Sequence, residues 1–205
     1  KAFADESVKF VTYNDENYPK FLREIPDFPL ALYYRGNLEN VDWQETVLRI
    51  EKDAFNSCEK LINANNSVSG TALLCNENLT YIGDDAFAGT GFSFVRMKSN
   101  VTTIGEGAFM NCHKLLDISI SSSVANIGKY AFQNCTKLTD IYNYALTPQP
   151  FPTNMLYGVD KDKLKIWVDY GAINAYKTAD GWKDYRIFTS SDEWEDYEGN
   201  YFFFW

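Results

Sequence analysis

The sequence predicts an α/β solenoid, in which short parallel strands stack unit upon unit and tight turns join them. Two observations predict it. The pair Ala-Phe recurs at Ala54-Phe55, Ala86-Phe87, Ala108-Phe109 and Ala131-Phe132, at spacings of 32, 22 and 23 residues. Aligned on the isoleucine before each pair (Ile50, Ile82, Ile104, Ile127), apolar residues also recur three, seven and nine positions upstream. Units of this size bury their apolar side only against neighbours, so such a period implies stacking.

Each unit opens with an x-apolar-x-apolar-x stretch: Val41 and Trp43, Leu73 and Cys75, Val95 and Met97, Ile118 and Ile120. Alternation of this kind is a short strand with one face inward, and repeated strands form a parallel ladder. Leu38, Phe92 and Leu115 lie twelve before the isoleucine, whereas the second unit has Gly70 there after an insertion of about ten residues. The turns Ile82-Gly83, Ile104-Gly105 and Ile127-Gly128 place glycine where a positive φ is expected. The Ala-Phe segment that follows is expected to be a short helical or 3₁₀ turn, with Phe plugging the core and Ala letting layers approach.

Ala2-Phe3 with Val8, Val11 and Tyr13 fits half a unit, after which residues 14–37 break the register. The expected organisation is therefore an irregular segment or divergent cap over 1–37, repeats over 38–146, a cap over 147–188, and an acidic and aromatic tail over 189–205. That tail runs Asp192-Glu193-Trp194-Glu195-Asp196-Tyr197 and ends Tyr201-Phe202-Phe203-Phe204-Trp205. Five aromatics left in water are an aggregation hazard, so packing on the cap is expected.

A formal net charge of −9 and a pI near 4.6 argue against unspecific binding to nucleic acid or anionic lipid. No apolar run reaches the length of a membrane span. The start at Lys1 rather than Met fits a mature or trimmed chain, with a leader or lipid anchor upstream.

Chemistry is scarce. No Gly-x-Ser-x-Gly, His-Glu-x-x-His or P-loop occurs. His113 occupies a variable slot that reads Thr136 in the next unit. Ser57-Cys58-Glu59-Lys60 matches Ser-x-x-Lys, yet the same slots read Asn111-Cys112-His113-Lys114 and Asn134-Cys135-Thr136-Lys137, so the lysine belongs to the repeat. Cys58, Cys112 and Cys135 each follow a repeat Phe by three residues, which reads as buried packing rather than a disulfide or metal site; Cys75 lies in a strand. No cofactor, metal ligand set or catalytic residue is expected, and the chain is read as not an enzyme.

The unit Ile104-Gly105-Glu106-Gly107-Ala108-Phe109-Met110-Asn111-Cys112-His113-Lys114-Leu115 resembles the bacterial surface antigen, or BspA-like, type of leucine-rich repeat, and the unit from Ile127 repeats it. The stretch from Leu164-Lys165-Ile166-Trp167-Val168 to Gly181-Trp182 looks like the terminal cap of such proteins, with a last strand, a short helix and a Gly-Trp turn. A cap is physically required, because an open end exposes an apolar layer and a strand edge. Trp182 is read as a plug. The resemblance implies a bacterial, secreted or cell-surface protein with adhesion-like binding of protein or glycan, and no nucleic acid. Residues 8–37, with Asp15-Glu16-Asn17-Tyr18-Pro19 and Leu32-Tyr33-Tyr34-Arg35-Gly36-Asn37, also resemble the opening segment of the DNA-processing protein A family. No Gly-Ser-Arg start of that family's Rossmann-like domain follows, so DNA processing is not carried over.

Between the inward positions, three rows face out. One runs Asp42, Leu74, Arg96, Ser119, Tyr142; a second Asn40, Ala72, Phe94, Asp117, Asp140; a third Gln44, Asn76, Lys98, Ser121, Tyr144. Exposed aromatics and arginine dominate interface energetics, which makes Phe94, Arg96, Tyr142 and Tyr144 the candidate partner-binding residues. The alternative readings are a structural spacer within a larger surface assembly and, third, a DNA-associated protein.

Overall fold

The computed structural model describes residues 9–12, 14, 16, 31–34, 48–59, 72–75, 77–98 and 100–189. The expected first-unit strand around Val41 and Trp43, and the tail beyond Thr189, lie outside them. Strands β1 (Lys9–Thr12) and β2 (Ala31–Tyr34) pair antiparallel. The repeats then build two parallel ladders. The longer joins β4 (Ala72–Leu74), β6 (Phe94–Arg96), β8 (Asp117–Ile120), β10 (Asp140–Asn143), β11 (Lys165–Val168) and β12 (Arg186–Thr189). The shorter joins the two-residue strands β3 (Arg49–Ile50), β5 (Tyr81–Ile82), β7 (Thr103–Ile104) and β9 (Asn126–Ile127).

The register follows the apolar spacing. Leu73, Val95, Ile118, Ile141, Ile166 and Ile187 stand side by side across the long ladder. All but Ile187 are fully buried. Phe55, Phe87, Phe109 and Phe132 stack behind them with ring centroids 5.3, 5.4 and 5.9 Å apart and planes within 14° of parallel. Burying each phenylalanine contributes about 2–3 kcal/mol, so the recurring pair is the core itself.

The Ala-Phe segments are not continuous helix. Each is a series of single 3₁₀-type turns in which every second amide leaves its own coil. In the second unit, Asp85, Phe87 and Gly89 donate to Glu106, Ala108 and Met110 of the next coil at 2.8, 2.8 and 2.7 Å. The amides between them, from Ala86, Ala88 and Thr90, bond back to Gly83, Asp85 and Phe87. Asp53, Phe55 and Ser57 do the same toward the second unit, and Gly107, Phe109 and Asn111 toward the fourth. This alternation places two residues per turn in the left-handed region, four apart: Asp53 and Ser57, Asp85 and Gly89, Gly107 and Asn111, Tyr130 and Asn134, Asn154 and Gly158.

The glycines of the Ile-Gly turns have a different role from the one expected. Gly83, Gly105 and Gly128 do not have positive φ. Instead a Cβ at Gly105 would lie 2.4 Å from the Gly83 carbonyl carbon, and one at Gly128 would lie 2.3 Å from the Glu106 nitrogen. Successive coils touch backbone to backbone at this corner, so no side chain fits.

The same turn runs once more beyond residue 146, where a cap was expected to begin. Met155-Leu156 replaces Ala-Phe, and Phe132 and Asn134 donate to Met155 and Tyr157 at 3.0 and 2.7 Å. After β11 come a 3₁₀ turn (Tyr170–Ala172), helix α1 (Ile173–Thr178) and a second 3₁₀ turn (Trp182–Asp184), ahead of β12, an additional strand that the sequence did not reveal. Trp182 is fully buried and donates its indole N–H to the Gln149 carbonyl at 2.7 Å. Gln149 in turn exchanges hydrogen bonds with buried Asn143 and reaches the Val124 carbonyl at 3.0 Å, while the Tyr176 hydroxyl donates to the Ala145 carbonyl at 3.1 Å. A buried, mutually hydrogen-bonded polar cluster of this kind favours one docking geometry for the cap.

Two glycine substitutions separate the two roles. Gly105→Ala, at negative φ, forces backbone apart and is expected to cost about 3 kcal/mol. Gly89→Ala, at φ 69° with its nearest atom 3.4 Å away, is expected to cost only about 1 kcal/mol. Urea midpoints of the two variants check the order, and equal losses contradict it.

Candidate functional site

Residues that do not point into the core of the long ladder form its outward face. Pairing puts Leu74, Arg96, Ser119, Tyr142, Trp167 and Phe188 in one row and Ala72, Phe94, Asp117, Asp140, Lys165 and Arg186 in the next. The rows read from sequence therefore run two strands further than the expected repeat boundary.

On β6 and β8 the face is charge-matched. Arg96 donates to the Asp117 carboxylate, and its guanidinium carbon lies 5.7 Å from the Phe94 ring centre. Burial pushes the Asp117 carboxyl above its ordinary value; Arg96 opposes that shift and the neighbouring Asp140 charge adds to it. Tyr144 lies in the field of this pair, and burial raises its phenol. Tyr144 is 41% exposed, whereas Phe94, Arg96 and Tyr142 are half-buried.

In this row the β8 strand with Ser119 lies between Tyr142 and Arg96. Tyr142 stacks on Trp167, at 6.0 Å and 14°, and Trp167 packs against Phe188 at 5.1 Å. Trp167 is only 6% exposed and gives its indole N–H to Asp140 at 2.7 Å. Lys165 lies over the rings of Trp167 and Phe188 at 5.4 and 5.9 Å, and Arg186 over Phe188 at 5.1 Å. Sequence reasoning missed Trp167, Phe188, Lys165 and Arg186. The alternation in Lys165-Ile166-Trp167-Val168 and Arg186-Ile187-Phe188-Thr189 was the available signal.

The residues weighed for chemistry fall on structural duties. The Cys112 and Cys135 thiols donate to the Phe87 and Phe109 carbonyls of the preceding coil, each at 3.1 Å. Thr90 fills the cysteine slot of the second unit and donates to Phe87 at 2.8 Å. His113 is exposed, with Nδ1 3.1 Å from the Asn134 carbonyl. Lys60 lies outside the described residues. Among the described residues no three His, Cys, Asp or Glu group as metal ligands do, and no helix is long and apolar enough to cross a membrane.

A family described as BspA type leucine-rich repeat region matches residues 64–147 in six copies. Residues 64–147 are thus similar to repeats of the BspA type. A second family, DNA recombination-mediator protein A, matches residues 9–48. Among solved structures, the chain is similar to a leucine-rich cell surface protein of Faecalibacterium prausnitzii A2-165, at 21% identity and a TM-score of 0.45 over 82% of this chain and 44% of that one. It is also similar to a leucine-rich repeat protein of Bacteroides ovatus ATCC 8483, at 17% identity and a TM-score of 0.23 over 70% of this chain and 58% of that one. The chain thus spans less than two thirds of either. No curated protein matches it.

Thiol chemistry tests the structural reading of the cysteines. All four are buried, and burial pushes the Cys75 thiol from 9.0 up to about 12. A thiol reagent at pH 8 is expected to label none of them in the native chain and all of them in denaturant. Because the folded value is raised, this contribution to stability is intact below pH 9.0 and declines as pH climbs toward about 12.

Proposed function

We propose that this chain is a non-enzymatic, secreted or cell-surface leucine-rich-repeat protein that binds a protein or glycan through the outward face of the long ladder. The observation that carries the reading is the row of Arg96, Ser119, Tyr142, Trp167 and Phe188, beside Phe94 and Lys165, on the outward face of the ladder. Solenoids use such extended faces for recognition, and aromatic and arginine side chains supply most interface energy. Phe94, Arg96, Tyr142 and Tyr144 are the partner-binding residues in this reading. The non-enzymatic part rests on the repeat, which gives His113, Ser57 and the cysteines reasons to be present that require no catalysis.

Binding of the intact chain to a panel of matrix proteins and glycans tests the reading. Saturable binding is expected, weakened about tenfold or more by Arg96→Ala with Tyr142→Ala. Absence of binding across the panel favours a spacer that displays a larger surface assembly.

A further inference from the structure

At the β11–β12 end the outward face carries two adjacent cations beside a single carboxylate, Asp140. Lys165 and Arg186 are direct register partners on adjacent strands. Strands stand about 4.8 Å apart, and like charges placed opposite each other destabilise a sheet. Among the described residues neither forms an ion pair; Arg186 donates to the Asp162 backbone carbonyl at 3.0 Å instead. Asp140, in register with Lys165 on its other side, has one oxygen held by the Trp167 indole and the other by the Thr139 hydroxyl, each at 2.7 Å. The chain has acids to spare, 28 against 19 Lys and Arg. Two strands away it does match its arginine, Arg96 with Asp117. Among the described residues of the row, two adjacent cations facing one carboxylate are found at this end of the face.

The rings beside these cations say what kind of anion fits. Trp167 stands between Tyr142 and Phe188, so a sugar ring has no open indole face to lie on. What remains is a half-buried apolar ridge, Tyr142 and Phe188 on either side of buried Trp167, with positive charge beside it. An extended peptide with carboxylates on alternate residues matches that arrangement, because its acidic side chains share the two-residue period of the ladder.

We propose that Lys165 and Arg186, with the Trp167–Phe188 ridge, form a binding site for an acidic, extended protein segment. The proposal rests on the binding role of the outward face and names its partner class. Carboxylates of the segment bridge the two cations, relieve their repulsion and exclude water over the rings, where a charge-assisted hydrogen bond is strongest.

The test uses the intact chain and a synthetic peptide alternating Glu with Thr, beside its Gln-for-Glu counterpart and a sulfated glycan, in a titration at low and high salt. The Glu peptide is expected to bind, and the Gln peptide to bind at least about tenfold more weakly. Lys165→Glu with Arg186→Glu is expected to abolish binding, and Lys165→Arg to retain it, with circular dichroism unchanged in both. Equal binding of the two peptides, indifference to charge reversal, or binding of the glycan alone overturns the proposal. Panel binding that depends on Arg96 and Tyr142 but not on Lys165 and Arg186 overturns it while leaving the wider function intact. Peptide binding at Lys165 and Arg186 without any panel partner leaves this site standing and removes the wider reading.

Discussion

The structure depends on backbone hydrogen bonds that pass from one coil to the next at the Ala-Phe turns. A turn segment of a solenoid could satisfy its amides within its own coil, as a helix does. Here alternate amides are sent to the neighbour, so each turn is completed only by the coil that follows. Two residues per turn must then sit in the left-handed region, at about 1 kcal/mol each where they are not glycine. That strain is tolerated because the paired coils also bury a phenylalanine, an alanine and an isoleucine together. Close approach follows from the same geometry and leaves no room for a Cβ at Gly83, Gly105 or Gly128.

This constraint accounts for what was legible in the sequence. Period, strand positions and the register of the outward rows could be read because the inward slots are apolar in every unit, and two of them hold Ile and Phe throughout. The left-handed pairs could not, because their slots hold Asp, Ser, Asn, Tyr and Gly in turn. The Ile-Gly glycines were visible, yet their purpose is an inter-coil distance, which no single unit displays. The coil over 147–168 escaped because Met155-Leu156 fills the core as Ala-Phe does without sharing its letters.

Half of the candidate face was lost with that last coil. Phe94, Arg96, Tyr142 and Tyr144 were readable on repeat offsets, whereas Trp167, Lys165, Phe188 and Arg186 sit on strands of a cap that continues the ladder. Once register is known, the polar character of the molecule sorts itself. Inside the turns, thiols, hydroxyls and asparagines tie coil to coil, as Cys112 does to Phe87, Thr90 to the Cys112 sulfur and Asn134 to Asn111. On the outward face the cross-coil ties are made by the aromatic and charged residues that gather there, as Arg96 with Asp117 and Trp167 with Asp140 show.

Native-state hydrogen exchange at single residues tests the central claim most directly. If the coils are interlocked, the amides of Asp85, Phe87, Gly89, Phe109 and Asn111 exchange only through opening of the whole repeat stack, with the free energy of global unfolding. Exchange of these amides at the rate of exposed turns, while the strand amides of Val95 and Ile118 stay protected, would contradict it.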